Sequence, residues 1–268
     1  MRNPLLNWLF YGHIWIALAA MALSWQSTYL ASGQAALQPI HFFVLAGTLG
    51  VYTLHRLLSF RRAGGQPDGR RYRVVATHPT LSLAVGCGSL LASSATVFFI
   101  PLSQFWPVVF AVPYTYFYLI PLYPGGPRLR DFPYLKVVWV ALAWTLMTHV
   151  FPTLPHHMGL EALTRFLFTL SIALLFDTRD VALDKRQLVK TLAANYPQLN
   201  RRLALSLLLC CSLLSLCAYS NPTDGQLAFA YATGIGVGAF VGPDRGEDYY
   251  AVAINGLLLL PPLTLAWW

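Results

Sequence analysis

Three aspartates, Asp177, Asp180 and Asp184, stand in the run LLFDTRDVALDKRQLVKTLA at positions i, i+3 and i+7. On a helix they fall within an arc of about 60°, so three carboxylates share one face. At membrane depth a carboxylate costs about 2.5–3.5 kcal/mol, and mutual repulsion adds to that, so the cluster needs a partner. Oxygen donors on one face suit Mg²⁺, a hard cation that typically takes one or two carboxylates and completes its shell with water and phosphate oxygens. The spacing points to a Mg²⁺–phosphate site. The competing reading is a solvated helix end on which Asp180 pairs with Lys185 or Arg186.

The elements that must position these residues are apolar. Of 268 residues, 56% are hydrophobic and 10% charged, which excludes an ordinary water-soluble domain. A bilayer core of about 30 Å takes roughly 20 apolar residues per helix. Nine such stretches are expected, at 8–29, 37–59, 80–100, 105–121, 134–151, 160–180, 203–220, 226–242 and 249–267, the fourth and eighth being the shortest. The expected fold is all-α, a polytopic membrane bundle of about nine helices forming a single domain over 1–268. The first stretch follows Arg2 and runs from Trp8 past Trp25 without a clear cleavage site, so it reads as a retained helix. Cys87, Cys210, Cys211 and Cys217 all lie in these stretches and imply no disulfide framework.

The formal charge of +8 raises the question of nucleic acid, and the location of the cations answers it. They collect in alternate connections: Arg56 to Arg73 around the second, Arg128, Arg130 and Lys136 around the fourth, Arg179 to Arg202 around the sixth, and Arg245 in the eighth. Of 18 Lys and Arg residues only Arg165 belongs to the other side. The positive-inside rule then places the N terminus and the even connections in the cytoplasm, and no nucleic-acid partner is implied. Eight of the ten acidic residues share the basic side, Glu161 and Asp224 being the others. The connections at 60–79 and 181–202 are longer than bundle turns require, as working loops are.

The aspartate run resembles the second motif of the UbiA superfamily of intramembrane prenyltransferases, an Asp-x-x-Asp-x-x-x-Asp core followed by Gly and a Lys/Arg-Thr-Leu-Pro tail. Asp177, Asp180, Asp184, Lys190, Thr191 and Leu192 match in register, while Leu188 and Ala193 replace the glycine and proline. The stretch LYPGGPRLRDFPYLKVVW looks like the family's fourth connection; Tyr123 and Arg128 match there, and Pro127 replaces the usual lysine. The resemblance covers most of the chain. It implies two Asp-rich motifs, after helices two and six, that bind Mg²⁺ and the diphosphate of an isoprenoid donor. An allylic cation then forms and is captured by an aromatic or other lipophilic acceptor, or by internal cyclisation.

The first motif departs from that pattern. In VYTLHRLLSFRR, His55 and Ser59 fall where the family has its paired aspartates. Tyr52, His55 and Ser59 keep the i, i+3, i+7 spacing, so a polar face survives without acidity. Imidazole and hydroxyl are poor Mg²⁺ ligands beside carboxylates. Arg56 and His55 are instead expected to contact diphosphate directly.

The resulting expectation is a Mg²⁺-dependent prenyltransferase of the bacterial inner membrane. Asp177, Asp180 and Asp184 hold the metal, and Arg56, Arg128, Lys190, His55, Ser59, Tyr52 and Tyr123 surround the diphosphate. The alternatives are a UbiA-type terpene cyclase and a non-catalytic polyprenyl- or lipid-binding protein. His149, His156 and His157 lack an acidic or cysteine partner at ligand spacing and read as loop or interfacial residues. Gly234, Gly236 and Gly238 read as close helix packing, and most aromatic residues as interfacial belt.

Overall fold

The computed structural model describes residues 3–62, 64–65, 69–155, 159–186, 189–218 and 223–266. Among them every regular element is helical. The chain starts with α1 (Pro4–Tyr11), whose first turn is fixed by Pro4 and by the Asn3 side chain accepting from the Leu5 N–H at 2.8 Å. The expected first span does not run through. It breaks at Gly12–His13, where His13 takes a left-handed φ of 69° and a Cβ on Gly12 would meet the Trp8 carbonyl at 2.4 Å. The long helix α2 (Ile14–Ser32) follows and closes on Gly33, whose N–H donates to the Tyr29 carbonyl at 2.7 Å.

Helix α3 (Pro39–Arg62) leads through a 3₁₀ turn at Arg70–Tyr72 and the short α4 (Arg73–Thr77) to α5 (Pro79–Thr96). Helices α3 and α5 approach closely because glycine stands at the crossing. A Cβ on Gly50 would lie 2.7 Å from Leu90, and one on Gly86 2.7 Å from Leu54. Next come α6 (Trp106–Leu119), α7 (Lys136–Thr145), a π turn at Leu146–Val150 and α8 (Phe151–Thr153). Helix α9 (Gly159–Arg186) has 28 residues, about 42 Å at 1.5 Å per residue, which exceeds a hydrocarbon core of about 30 Å.

The short α10 (Leu192–Asn195) is capped by the Thr191 hydroxyl accepting from the Ala194 N–H. Then follow α11 (Pro197–Ala218), α12 (Thr223–Gly238), a π turn at Tyr249–Ile254, α13 (Asn255–Leu257) and α14 (Leu260–Ala266). The main core gathers Leu23, Phe168, Leu175, Leu208, Tyr250 and Ile254 from α2, α9, α11 and the last helices. Gly234 and Gly238 serve that packing, with Leu208 at 3.3 Å and Leu205 at 3.0 Å from their built Cβ positions, whereas Gly236 faces open space. All four cysteines are free.

Among the described residues each of the nine apolar stretches is mainly helical, but nine crossings are not established. Five helices, at Ile14–Ser32, Pro39–Arg62, Pro79–Phe99, Gly159–Ala182 and Pro197–Cys217, are long and apolar enough to cross a membrane. The pair Tyr249–Leu257 and Leu260–Ala266, bent by 51°, makes a sixth if taken as one span. Helices α6 and α12 have 14 and 16 residues and fall short alone. Arg165, the one cation assigned to the opposite side, lies inside α9 and is buried against α2, donating to Gln26 Oε1 at 2.8 Å and Ser27 Oγ at 3.2 Å. His149 is buried as well, 3.0 Å from Ser27 Oγ. His156, His157 and Leu188 lie outside the described residues.

Candidate functional site

Helix α9 carries the three aspartates past the core on one face, and each meets a cation supplied by another part of the chain or by its neighbour. Lys136, the first residue of α7, places its Nζ 2.9 Å from Asp177 Oδ1 and 2.8 Å from Asp184 Oδ2. All three residues are buried, Asp184 completely. Arg71, in the turn after α3, reaches Asp180 Oδ1 at 2.6 Å, and Arg179 Nε lies 3.0 Å from the same oxygen. Asp180 therefore pairs with Arg71 and Arg179; the expected alternative partner Arg186 has a side chain outside the described residues.

Helix α3 supplies the opposite wall. The Arg56 guanidinium lies 5.1 Å from the centre of the Tyr72 ring, and that of Arg71 lies 5.5 Å from it, so one aromatic ring contacts two cations. Charges on Arg71, Arg179 and Asp180 all act on Arg56, which places it in the same cluster as the aspartates. Arg56, Arg130, Arg128 and Arg62 act likewise on His55. The Tyr52 hydroxyl accepts from Trp144 Nε1 at 3.0 Å and its ring lies 6.0 Å from that of His13. Tyr118 on α6 stands between the two walls, since Arg130, Lys136, Asp177 and Asp180 act on it and it acts on Tyr52 of α3.

The structure thus brings Arg56 to the aspartates through Tyr72 and Arg71, whereas Tyr52 meets Trp144 and His13, and the charges that act on His55 are those of Arg56, Arg130, Arg128 and Arg62. Ser59 is half-buried on the last turn but one of α3. Arg128 turns to Asp131, with Nη2 to Oδ1 at 2.8 Å and Nε to Oδ2 at 2.9 Å. Lys190 is exposed; its carbonyl accepts from the Tyr134 N–H at 3.0 Å. Tyr123 is 62% exposed and lies against Gly126.

Sequence reasoning missed Lys136, Arg71, Tyr72 and His13 as members of the site. Lys136 and Arg71 were visible only as topological charge. His13 carried no signal, because its role depends on the left-handed break between α1 and α2.

The segment that delivers Arg71 and Tyr72 is clamped from the far end of the chain. Glu247 accepts from the backbone N–H of Arg70 at 2.6 Å and of Arg71 at 3.1 Å. Gly69, at φ 83°, leaves room for that carboxylate, since a Cβ there would lie 2.2 Å from Glu247 Oε1. Asp248 accepts from the Tyr11 hydroxyl and the Arg70 guanidinium, and these two contacts hold its carboxyl below the ordinary range. Burial works against ionisation of Asp131, yet its hydrogen bonds from Arg128 outweigh it and lower that carboxyl too.

The expected Mg²⁺ centre does not match this donor set. Among the described residues no group of three or more His, Cys, Asp or Glu side chains is disposed to hold a metal ion. The carboxylates are already neutralised by Lys136, Arg71 and Arg179, and α3 offers His55 and Arg56 in place of acids. A divalent ion about 4 Å from the Lys136 ammonium would be repelled by about 8 kcal/mol at an effective dielectric near 20. What the cluster does offer is donors. Buried there without a hydrogen-bond partner among the described residues are Nε of Arg56 and Nε of Arg71, with Asp184 Oδ1 as an acceptor. Native buried polar atoms are almost always paired, so the two guanidinium groups keep unused donor capacity.

No protein-family model matches the chain, and no curated protein does. Solved structures do. A UbiA homolog from Archaeoglobus fulgidus bound to GPP and Mg²⁺ superposes with a TM-score of 0.71 at 13% identity, covering 96% of this chain and 97% of that one. The same homolog bound to DMAPP and Mg²⁺ gives 0.69 with the same identity and coverage. At that identity the likeness is one of fold, and it spans both chains almost end to end: this chain is a helical membrane protein with the UbiA fold.

Proposed function

We propose that the chain binds a prenyl diphosphate at the Arg56–Arg71–Tyr72 wall and transfers its prenyl group to an aromatic or lipophilic acceptor within the membrane. The observation that carries this reading is the pair of guanidinium groups of Arg56 and Arg71 gathered on the Tyr72 ring beside Asp180, each with a buried, unpaired Nε. Guanidinium forks suit phosphate oxygens in geometry and charge. The superposed UbiA homolog was solved with GPP and with DMAPP, two prenyl diphosphates, which supports the choice of ligand.

The chemistry follows from charge. The C1–O bond of the donor breaks and its electron pair leaves with pyrophosphate, which Arg56 and Arg71 stabilise as negative charge develops. The allylic cation left behind faces aromatic rings such as Tyr52, Tyr118 and Trp144, whose π faces favour cations. An electron pair of the acceptor forms the new bond to C1, and the acceptor then loses a proton. His55 and the orphaned Nδ1 of His13 stand beside Tyr52 as candidates to receive it. Arg128, Lys190 and Tyr123 belong to the approach to the site in this reading, and Ser59 to its rim. The N terminus and the site lie on the cytoplasmic side of a bacterial inner membrane.

The ion pairing of all three aspartates favours a second reading, a polyprenyl-binding protein without turnover. One assay separates them. Purified protein in lipid discs is given geranyl, farnesyl or geranylgeranyl diphosphate, with and without a phenolic or quinone acceptor, and pyrophosphate is measured. Release that requires acceptor and is lost in Arg71→Leu supports transfer. Release without acceptor indicates cyclisation, and tight binding with no release by any donor leaves only the second reading.

A further inference from the structure

We infer that the Lys136 ammonium occupies the place of a bridging divalent cation, so that this site takes prenyl diphosphate without divalent metal; the inference rests on the proposed donor class. Lys136 bonds the first and last of the three aspartates, at 2.9 and 2.8 Å, with all three side chains withdrawn from solvent. One ammonium thereby spans two carboxylates seven residues apart, the job a bridging cation does. The middle aspartate is held by two guanidinium groups, Arg71 at 2.6 Å and Arg179 at 3.0 Å.

The facing helix has changed in the same sense. Where a second metal would need carboxylates, α3 presents His55, Arg56 and Ser59. Four cations, Lys136, Arg71, Arg179 and Arg56, thus stand against three carboxylates, Asp177, Asp180 and Asp184, leaving a formal surplus of one positive charge before any ligand arrives. Fixed cations of this kind neutralise diphosphate without being recruited from solution. Removing Lys136 would leave Asp177 and Asp184 buried side by side without it, an oxygen-donor pair of the kind Mg²⁺ accepts.

The test uses the full chain in lipid discs and geranyl S-thiolodiphosphate, which binds as the donor does but resists ionisation. The expected affinity changes by less than about threefold between excess EDTA and Mg²⁺. A fall of more than about tenfold in EDTA would overturn the inference while leaving the donor class standing. Absence of binding in both buffers would overturn the donor class and the inference with it. Lys136→Met is expected to bind poorly in EDTA and to recover with Mg²⁺; EDTA-insensitive binding by that variant would contradict the surrogate role. Should Lys136→Met not fold, Mn²⁺ paramagnetic resonance on the unsubstituted protein with the same ligand decides. No bound spectrum above that of empty discs is expected, and a bound, ligand-dependent Mn²⁺ spectrum would refute the inference.

Discussion

Arg71 and Asp180 lie 109 residues apart in sequence and 2.6 Å apart in space. That pair ties the turn after α3 to the functional end of α9, and it sets the guanidinium of Arg71 and the ring of Tyr72 against Arg56. The turn at Arg70–Tyr72 is therefore held against α9 and not merely a connection.

Replacing Arg71 with leucine removes one of two cations from Asp180 while Arg179 remains. Charged hydrogen bonds contribute about 1.5–3 kcal/mol, and the expected loss of stability is of that order. Ligand affinity should suffer more, by at least about tenfold, because the same guanidinium faces the diphosphate. Thermal unfolding in detergent and titration with geranyl S-thiolodiphosphate measure the two effects separately. An affinity equal to that of the unsubstituted protein would remove Arg71 from the site.

Gly69 sits at φ 83° against Glu247. Alanine there is strained by about 1–3 kcal/mol and would displace the carboxylate that holds the Arg70 and Arg71 amides. Gly69→Ala should speed proteolysis in the turn preceding α4 and weaken ligand binding, while α9 stays intact. Unchanged proteolysis would mean that Glu247 is no clamp.

The loop carboxylates predict an acid-sensitive clamp. Asp248 is lowered by Tyr11 and Arg70, and Asp131 by Arg128. A carboxylate with a depressed folded pKa contributes stability above its unfolded value near 3.9, and that contribution is lost as pH falls through 3.9 towards the folded pKa. Protection of the turn around Arg70 should therefore be constant above about pH 5 and fall below about pH 4. Asp248→Asn should flatten that profile; hydrogen exchange across the pH series would show whether it does.

Leucine at Gly86 would drive a side chain into Leu54 and wedge α5 from α3. Overpacking of this kind costs about 1–3 kcal/mol. Because α3 carries Tyr52, His55 and Arg56, the variant should lose ligand affinity together with stability, whereas Gly236→Leu, at open space, should lose little of either. Equal thermal midpoints for the two variants would argue against a tight α3–α5 crossing.

Much of this was legible in the chain. Apolar length located helical stretches along the described chain, and turn-spaced aspartates located the face of α9 that gathers Lys136, Arg71 and Arg179. The polar stripe Tyr52–His55–Ser59 lies on α3, but the residue of α3 that reaches the cluster is Arg56. Break points were less legible: Gly12–His13 lies in an uninterrupted apolar run, and only the backbone angle at His13 reveals the turn. Cation roles were least legible. A lysine beginning a membrane helix is what topology selects for, and only the fold shows Lys136 turned between Asp177 and Asp184.

A structure of the full chain with geranyl S-thiolodiphosphate bound tests the central claim most directly. The account predicts diphosphate oxygens within hydrogen-bonding distance of Arg56 and Arg71, with the prenyl chain running between α3 and α6. Diphosphate bound away from both arginines, or a prenyl chain lying outside the bundle, would contradict it.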